Sequence, residues 1–352
     1  MTAQTAEQDR AATGGPAPAR GRPLGAVLVV AAFILLGCIV LSLTVNGTQI
    51  FTPQMVWQAI LGRGSVLVEA AVRDIWLPRT IVSVMIGAGL AVAGALIQGI
   101  TRNPIVEPSI IGINAGAALA VAAVTFFGET TLQVGSVTLM PFIAFGGALA
   151  AAGLVYAMVS GIDVTPGRIA LAGVTVALLA NALVSGTILI RVSAVYSLLH
   201  YIVGGVDGTT WTSVDTLLPY EVIGLAAALL VARGVTVLQL GDDVARGLGQ
   251  SVARVRITAI AVVVILAGAA VAVAGPIAMV GLLIPHVARW LVGTDYRRVL
   301  PVSMLLGAIL LVAADVASRM VAPPTETPVG VLTALLGTPY FIYLARRGRG
   351  AV

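Results

Sequence analysis

A chain of 352 residues that is 59% hydrophobic and only 10% charged, with a mean hydropathy of +1.03, carries more apolar surface than one soluble core can hide. The composition excludes an ordinary soluble domain and predicts an all-α, polytopic membrane protein. The net charge of +5 rests on 20 basic residues, all arginine, scattered between apolar runs with little aromatic interleaving, a pattern that membrane orientation explains better than nucleic-acid binding.

Residues 1–23 are rich in Ala, Gly and Pro without apolar periodicity and read as a disordered tail. Leu24–Leu43 is too long for a signal-peptide core and is expected to be an uncleaved first helix. It holds Cys38, the single cysteine, so no disulfide framework or cysteine-based metal site is possible within the chain. Thr52–Leu61 places Met55, Val56, Ile60 and Leu61 at helical spacing and predicts an interfacial amphipathic helix. Further spans are expected at Leu77–Ile100, Ile110–Phe127, Leu139–Val159, Ile169–Ile190, Leu218–Val237, Ile257–Ala274, Ile277–Leu291, Leu300–Met320 and Val329–Ala345, giving ten in residues 24–347, with 348–352 as a tail.

Ten spans put both termini on one side. With that side cytoplasmic, Arg63, Arg73, Arg79, Arg191 and Arg319 face outward and the remaining fifteen arginines face inward, the asymmetry expected of cytoplasmic loops. A weak repeat at an offset of 181 residues matches Gly87-Ala88 and Ala91–Gly94 to Gly268-Ala269 and Ala272–Gly275, then Pro104 to Pro285 and Gly112 to Gly293. The copies begin in spans of opposite direction, an inverted arrangement typical of transporters. Packing alone also accounts for most of these glycines.

Four stretches carry the chemistry. Leu240–Arg256 is a polar loop between spans, with Leu240, Gly241, Asp242, Asp243, Ala245, Arg246, Leu248 and Gly249 at its head, and reads as two short helices forming a docking surface for a soluble partner. In residues 101–117, Pro104 and Pro108 force a turn, and Asn103 and Glu107 are placed to bond backbone freed at the start of the third span, as a cap or as part of a gate. In residues 274–301, Pro276 and Pro285 are expected to bracket a short helix broken by Gly281. His286 follows and reads as a structural hydrogen-bonder, and His200 stands alone, so no metal site is expected. Asp315 and Arg319 can pair at i,i+4.

Ionisable groups at membrane depth look almost absent beyond that pair, which argues against an ion-coupled secondary transporter and an intramembrane enzyme. Without lysine no P-loop is possible, so the driving energy is expected to come from elsewhere, and a separate ATPase fits both absences. Arg73, Arg79, Arg319 and Glu326 on the outer side are either a solvated rim or a docking ring. Asn181 and Ser185, with Thr187, are candidates to line a route or to hydrogen-bond between helices.

Together, LPRTIVSVMIGAGLAVAGALIQ, RNPIVEPSIIGINAGAALA, LGDDVARGLG, VGLLIPHVARWLVGTDYRRVLP, ADVASR and ETPVGVLTALLGTPYFIYL, in this order from about Leu24 to Arg347, resemble the permease subunits of ABC importers for ferric siderophores, haem and vitamin B12, the FecCD family. The resemblance implies a vitamin B12 permease-like, type II importer fold and a transport subunit rather than an enzyme. It implies a bacterial cytoplasmic membrane protein with both termini inside, paired with itself or a paralogue among membrane lipid. Two ATPase subunits hold ATP and Mg²⁺ below, an extracytoplasmic substrate-binding protein sits above, and this chain binds no cofactor. The cargo implied is an iron(III)-siderophore, with cobalamin or haem as alternatives.

The family's coupling helices fall on Leu240–Arg256. Its docking arginines fall on Arg79 and Arg319, with Glu326 in the following Glu-Thr-Pro-Val-Gly. A third expected arginine is Trp76 here, and Arg73 lies one turn away to replace it. The family's Trp-x-x-Gly-Ser reads Tyr201–Gly205. The expected gate or path residues are Asn103, Pro104, Pro108, Asn181, Ser185, Pro285 and His286.

Overall fold

A computed structural model describes residues 22–47, 49–131, 139–159, 166–190, 201–323 and 325–347. Its helices are α1 (Leu24–Thr44), α2 (Pro53–Ile60), α3 (Val66–Ala70), α4 (Leu77–Thr101), α5 (Ile113–Thr131), α6 (Met140–Val159), α7 (Pro166–Ile190), α8 (Trp211–Leu238), α9 (Asp242–Gly247), α10 (Val252–Ala274), α11 (Val280–Val292), α12 (Tyr296–Val321) and α13 (Val329–Arg347). A two-residue hairpin, Val45–Asn46 against Gln49–Ile50, follows α1. Each of the ten expected spans falls on a helix. Seven are long and apolar enough to cross a bilayer, and three shorter apolar stretches lie at Ile113–Phe127, Val280–Val292 and Val329–Pro339. His200, Arg191 and the tails 1–21 and 348–352 lie outside the described residues.

Helix α4 is the axis. Of its apolar window 83% is buried inside the chain, against 6% for α1, which presents Val30, Phe33 and Leu36 outward. α4 packs on α8, α10, α11 and α12. Lipid supplies no hydrophobic drive between helices, so close approach must come from small residues. Gly87 faces the backbone of Gly307 on α12, and Gly94 faces that of Gly281 on α11. A Cβ at either position would fall on a carbonyl of the partner helix.

The segment 66–101 is one continuous helical path with a π turn at Ala71–Trp76. Pro78 lacks the N–H that a π turn would direct to the carbonyl of Arg73. That carbonyl instead accepts the indole N–H of Trp211 at 2.9 Å, which ties α8 to this end of α4. Thr52 caps α2 as its sequence suggests, its hydroxyl accepting the N–H of Met55.

Three expectations are corrected. Leu240–Arg256 holds one short helix, α9, flanked by Gly241 (φ 106°) and Gly249 (φ 79°), and its second half is the first turn of α10. Pro285 does not bound a helix: α11 begins at Val280, Gly281 lies in its first turn, and Pro285 lies inside it. The carbonyl of Gly281 that Pro285 strands is taken by the side-chain amide of Gln98 at 3.1 Å, so the helix continues through the proline. The repeat offset therefore carries through α4 and α10 but pairs Pro104, in a turn, with Pro285, in a helix.

Gly94→Ala should lower the stability of the detergent-solubilised chain by about 1–3 kcal/mol, the usual cost of overpacking. Gly153, with nothing within 4 Å of a built Cβ, should accept alanine with no loss. Thermal unfolding of the two variants decides between dense packing and mere tolerance of small residues.

Candidate functional site: two clamped ends of a central helix

At its N-terminal end α4 enters a buried charge cluster. Asp315 on α12 is 0% exposed and bridges two arginines, Arg79 at 2.8 Å and Arg319 at 2.8 Å. Arg79 also reaches Glu326 at 2.7 Å. Arg319 donates to the backbone carbonyl of Ser42 at 3.0 Å, to the Ser42 hydroxyl at 2.8 Å and to the side-chain oxygen of Asn46. Two guanidinium groups thus meet two carboxylates, and the remaining donors find oxygens on α1 and the hairpin.

The two arginines expected to face a partner are buried inside this chain, and a partner's carboxylate reaches them only by displacing Asp315 or Glu326. The reachable charges are Glu326, 42% exposed, and Arg73, 48% exposed and paired with Glu69 at 2.7 Å. Arg73, Glu69, Asp74, Val66 and Trp211 line a cleft of about 620 Å³. Trp76, where an arginine was expected, is buried against Phe51 with ring centroids 4.9 Å apart.

The opposite end of α4 is clamped to the loop before α10. Arg102 closes α4 with φ 52° and bonds Asp242 at 3.1 Å, while Arg256 bonds both oxygens of Asp242 at 3.0 Å. The Gln239 amide donates to the Gly99 carbonyl at 2.6 Å. Ala245 is buried, whereas Leu240, Val244 and Leu248, four residues apart, are exposed alongside Asp243 and Arg246. An apolar stripe on a charged loop is unusual for a segment bathed in water and fits a surface that another protein covers.

Between the clamps, two broken segments meet. The Glu107 carboxylate accepts the backbone N–H of Met279 at 2.7 Å, and Pro108 packs on Gly281. Glu107 therefore links two loops rather than capping the third span, and Asn103 closes a local turn by accepting the Ile105 N–H at 3.0 Å. Burial pushes the Glu107 carboxyl up from its ordinary range, against the opposing pull of the Met279 N–H and the Ser109 hydroxyl. Next to this junction Arg289 donates to Gln98 at 2.8 Å and lies 3.2 Å from Nδ1 of His286. His286 is a hydrogen-bonding partner here, and no group of three metal-ligating residues occurs among the described residues.

Asn103 and Pro104 are exposed at the turn, and Pro108 and Pro285 are buried in the junction. Asn181 and Ser185 stand apart from it, exposed on α7. Sequence reasoning missed Gln98, Arg289 and Glu221. The last is a buried carboxylate within the expected span Leu218–Val237, and its signal was a single acid in an apolar run.

A bundle of apolar helices long enough to cross a bilayer, with broken segments meeting inside it and a loop offered to a partner at one end, defines a multi-pass membrane permease. The chain belongs to the FecCD transport family, which it matches over residues 33–347. It is 42% identical over 330 residues to the Fe(3+)-citrate import system permease protein YfmD of Bacillus subtilis, covering 92% of this chain and 95% of that one. It is 44% identical over 331 residues to the iron(3+)-hydroxamate import system permease protein FhuB of the same organism, covering 93% and 85%. A solved structure of an inward-facing, metal-chelate type ABC transporter superposes with a TM-score of 0.81 at 27% identity, covering 92% of this chain and 99% of that one.

Asp315→Asn should cost about 3–5 kcal/mol, because it leaves two buried guanidinium groups sharing one carboxylate. Arg73→Ala breaks a surface pair and should cost about 0–1 kcal/mol. Denaturation of both variants in detergent separates a structural cluster from a solvated rim. Asp242→Ala should likewise loosen the loop, read as faster proteolysis between Leu238 and Val252. Asp243→Ala, which removes only the exposed pair with Arg246, should not.

Proposed function

We propose that the chain is the permease subunit of an ATP-binding cassette importer that passes an iron(III)-siderophore from an extracytoplasmic binding protein into the cytoplasm. The observation that carries the reading is the exposed stripe Leu240, Val244 and Leu248, set on a loop that Asp242 pins to the end of α4. A surface of that kind delivers a push from a soluble partner straight to the central helix. Family membership and relatives named for import of Fe(3+)-citrate and iron(3+)-hydroxamate support the cargo class.

In this reading the stripe faces the cytoplasm, where two ATPase subunits bind ATP and Mg²⁺ and close on it. Both chain termini share that side, in keeping with the arginine asymmetry. The Arg79 end then faces outward. There the cleft around Arg73 and the reachable Glu326 receive the binding protein, while Arg79 and Arg319 hold the platform from beneath. Arg73 takes the part of the arginine that Trp76 replaces. A second permease subunit, identical or paralogous, completes a path to which α7, with Asn181 and Ser185, contributes. Asn103, Pro104, Pro108, Pro285 and His286 act at the gate.

Uptake of radiolabelled ferric siderophore by cells dependent on this permease tests the reading. Arg246→Glu with Gly249→Pro should reduce uptake about tenfold or more, since an interfacial charge reversal and a proline at φ 79° both spoil the docking surface. Full uptake by the inserted double variant, or wild-type uptake that survives loss of the ATPase, would overturn it.

A further inference from the structure

Glu221 lies eleven residues into α8, about 15 Å along the axis from Trp211. It is 2% exposed, and neither carboxylate oxygen has a hydrogen-bond partner. The carboxyl rests on Gly89 of α4, where a Cβ would overlap it, so the glycine forms its seat. No part of the proposed docking or coupling surfaces uses it.

The charged groups around it are committed elsewhere. On α4, Arg79 is ten residues away and bound to Asp315 and Glu326. On α12, Asp315 and Arg319 belong to that same cluster, and Tyr296, Arg297 and Arg298 lie at the other end, Tyr296 against Gly99. On α10, Arg254 and Arg256 sit in the first turn, whereas Ile265 and Leu266 reach the neighbouring Gly224. Asp242, Asp243 and Arg246 of α9 lie beyond the far end of α8. On α8 itself, Asp215 and Arg233 lie one to three turns off, and Tyr220 packs on Phe145 of α6.

A carboxylate buried without a cation or donor is costly enough that such a group takes up a proton instead of staying charged. The reaction is addition of one aqueous proton to one carboxylate oxygen, and no other bond forms or breaks. Pro219, two residues before Glu221, lies inside α8 and cannot donate a backbone bond to Asp215, which makes this the weakest point of the helix against bending. The other end of α8 runs directly into α9, so displacement of α9 levers α8 about Pro219.

We infer that Glu221 is a proton-binding site, occupied while the carboxyl is seated on Gly89 and emptied to water when α8 bends away from α4. The seated proton stands on the geometry alone, whereas its release in a cycle rests on the transport reading above.

Infrared spectra of the lipid-reconstituted chain at neutral pH decide the first part. A protonated-carboxyl band should be present, should vanish in Glu221→Gln and should shift in Glu221→Asp, which guards against a glutamine variant that misfolds. No such band in the wild type, or the same band in both variants, overturns the site. The second part uses the complex assembled with its ATPase and trapped with ATP and vanadate, where the band should disappear. A band unchanged in a complex that hydrolyses ATP overturns the release step. A complex that hydrolyses no ATP overturns the transport reading and the release step with it, while the first spectrum still decides the seated proton.

Discussion

The arrangement depends on one kind of contact: backbone against backbone where α4 crosses α11 and α12. Gly94 meets Gly281 and Gly87 meets Gly307, and no side chain fits between them. Water drives soluble helices together, but lipid does not, so these close approaches and the bonds they permit must hold the bundle. Once α4 lies that close, Gln98 reaches the carbonyl that Pro285 strands on α11, and Arg79 reaches Asp315 on α12. The proline positions show the same logic from another side. A carbonyl robbed of its donor inside a membrane has no water to turn to, and at Gly281 the Gln98 side chain of another helix takes that place, as the Trp211 indole does for the more exposed carbonyl of Arg73.

The clamps at the two ends of α4 differ in how freely they can open. At the Arg79 end, Arg79, Asp315 and Arg319 are buried and only Glu326 is open to solvent, so parting Asp315 from either arginine would strand a buried ion. At the Asp242 end, Arg102 is largely exposed and its pair with Asp242 is screened by solvent. The helix between them is a stiff, buried rod. A displacement applied at the loop therefore yields at the loop first, and the cluster around Asp315 serves as the fixed point.

What the sequence made legible was what short-range spacing determines. The ten apolar runs each fell on a helix, seven of them long and apolar enough to cross a bilayer, the run Thr52–Leu61 gave α2, and the i,i+4 spacing gave the pair Asp315–Arg319. Contacts between distant segments were out of reach: nothing local tells Glu107 that its partner is the N–H of Met279, or Arg79 that its partner is Asp315. Local rules also misled where tertiary contacts overrode them. Pro285 looked like a helix boundary because the rule assumes the freed carbonyl goes unmet, and Gln98 meets it. For Arg79 and Arg319 the sequence left a solvated rim or a docking ring open, and their burial against Asp315 was illegible because position along a helix says nothing of what the neighbouring helix supplies. Glu221 escaped notice because one acid scarcely lowers the average of an apolar window.

Backbone strain is placed at the same junctions. Among the described residues, Arg102 and Met279 are the non-glycine positions with positive φ, at 52° and 73°, a conformation costing on the order of 1–3 kcal/mol. Each is held by one carboxylate, Arg102 through its side chain to Asp242 and Met279 through its backbone N–H to Glu107. Strain of that size persists only while such a bond is kept. Weakening the Asp242 clamp removes the hold on Arg102, at the joint between α4 and the loop that leads to Glu107. Five residues on, Glu107 fixes the break before α11. The Asp242 clamp and the junction of broken segments are thereby in series along a short stretch of chain, and a change at the first alters the restraint on the second.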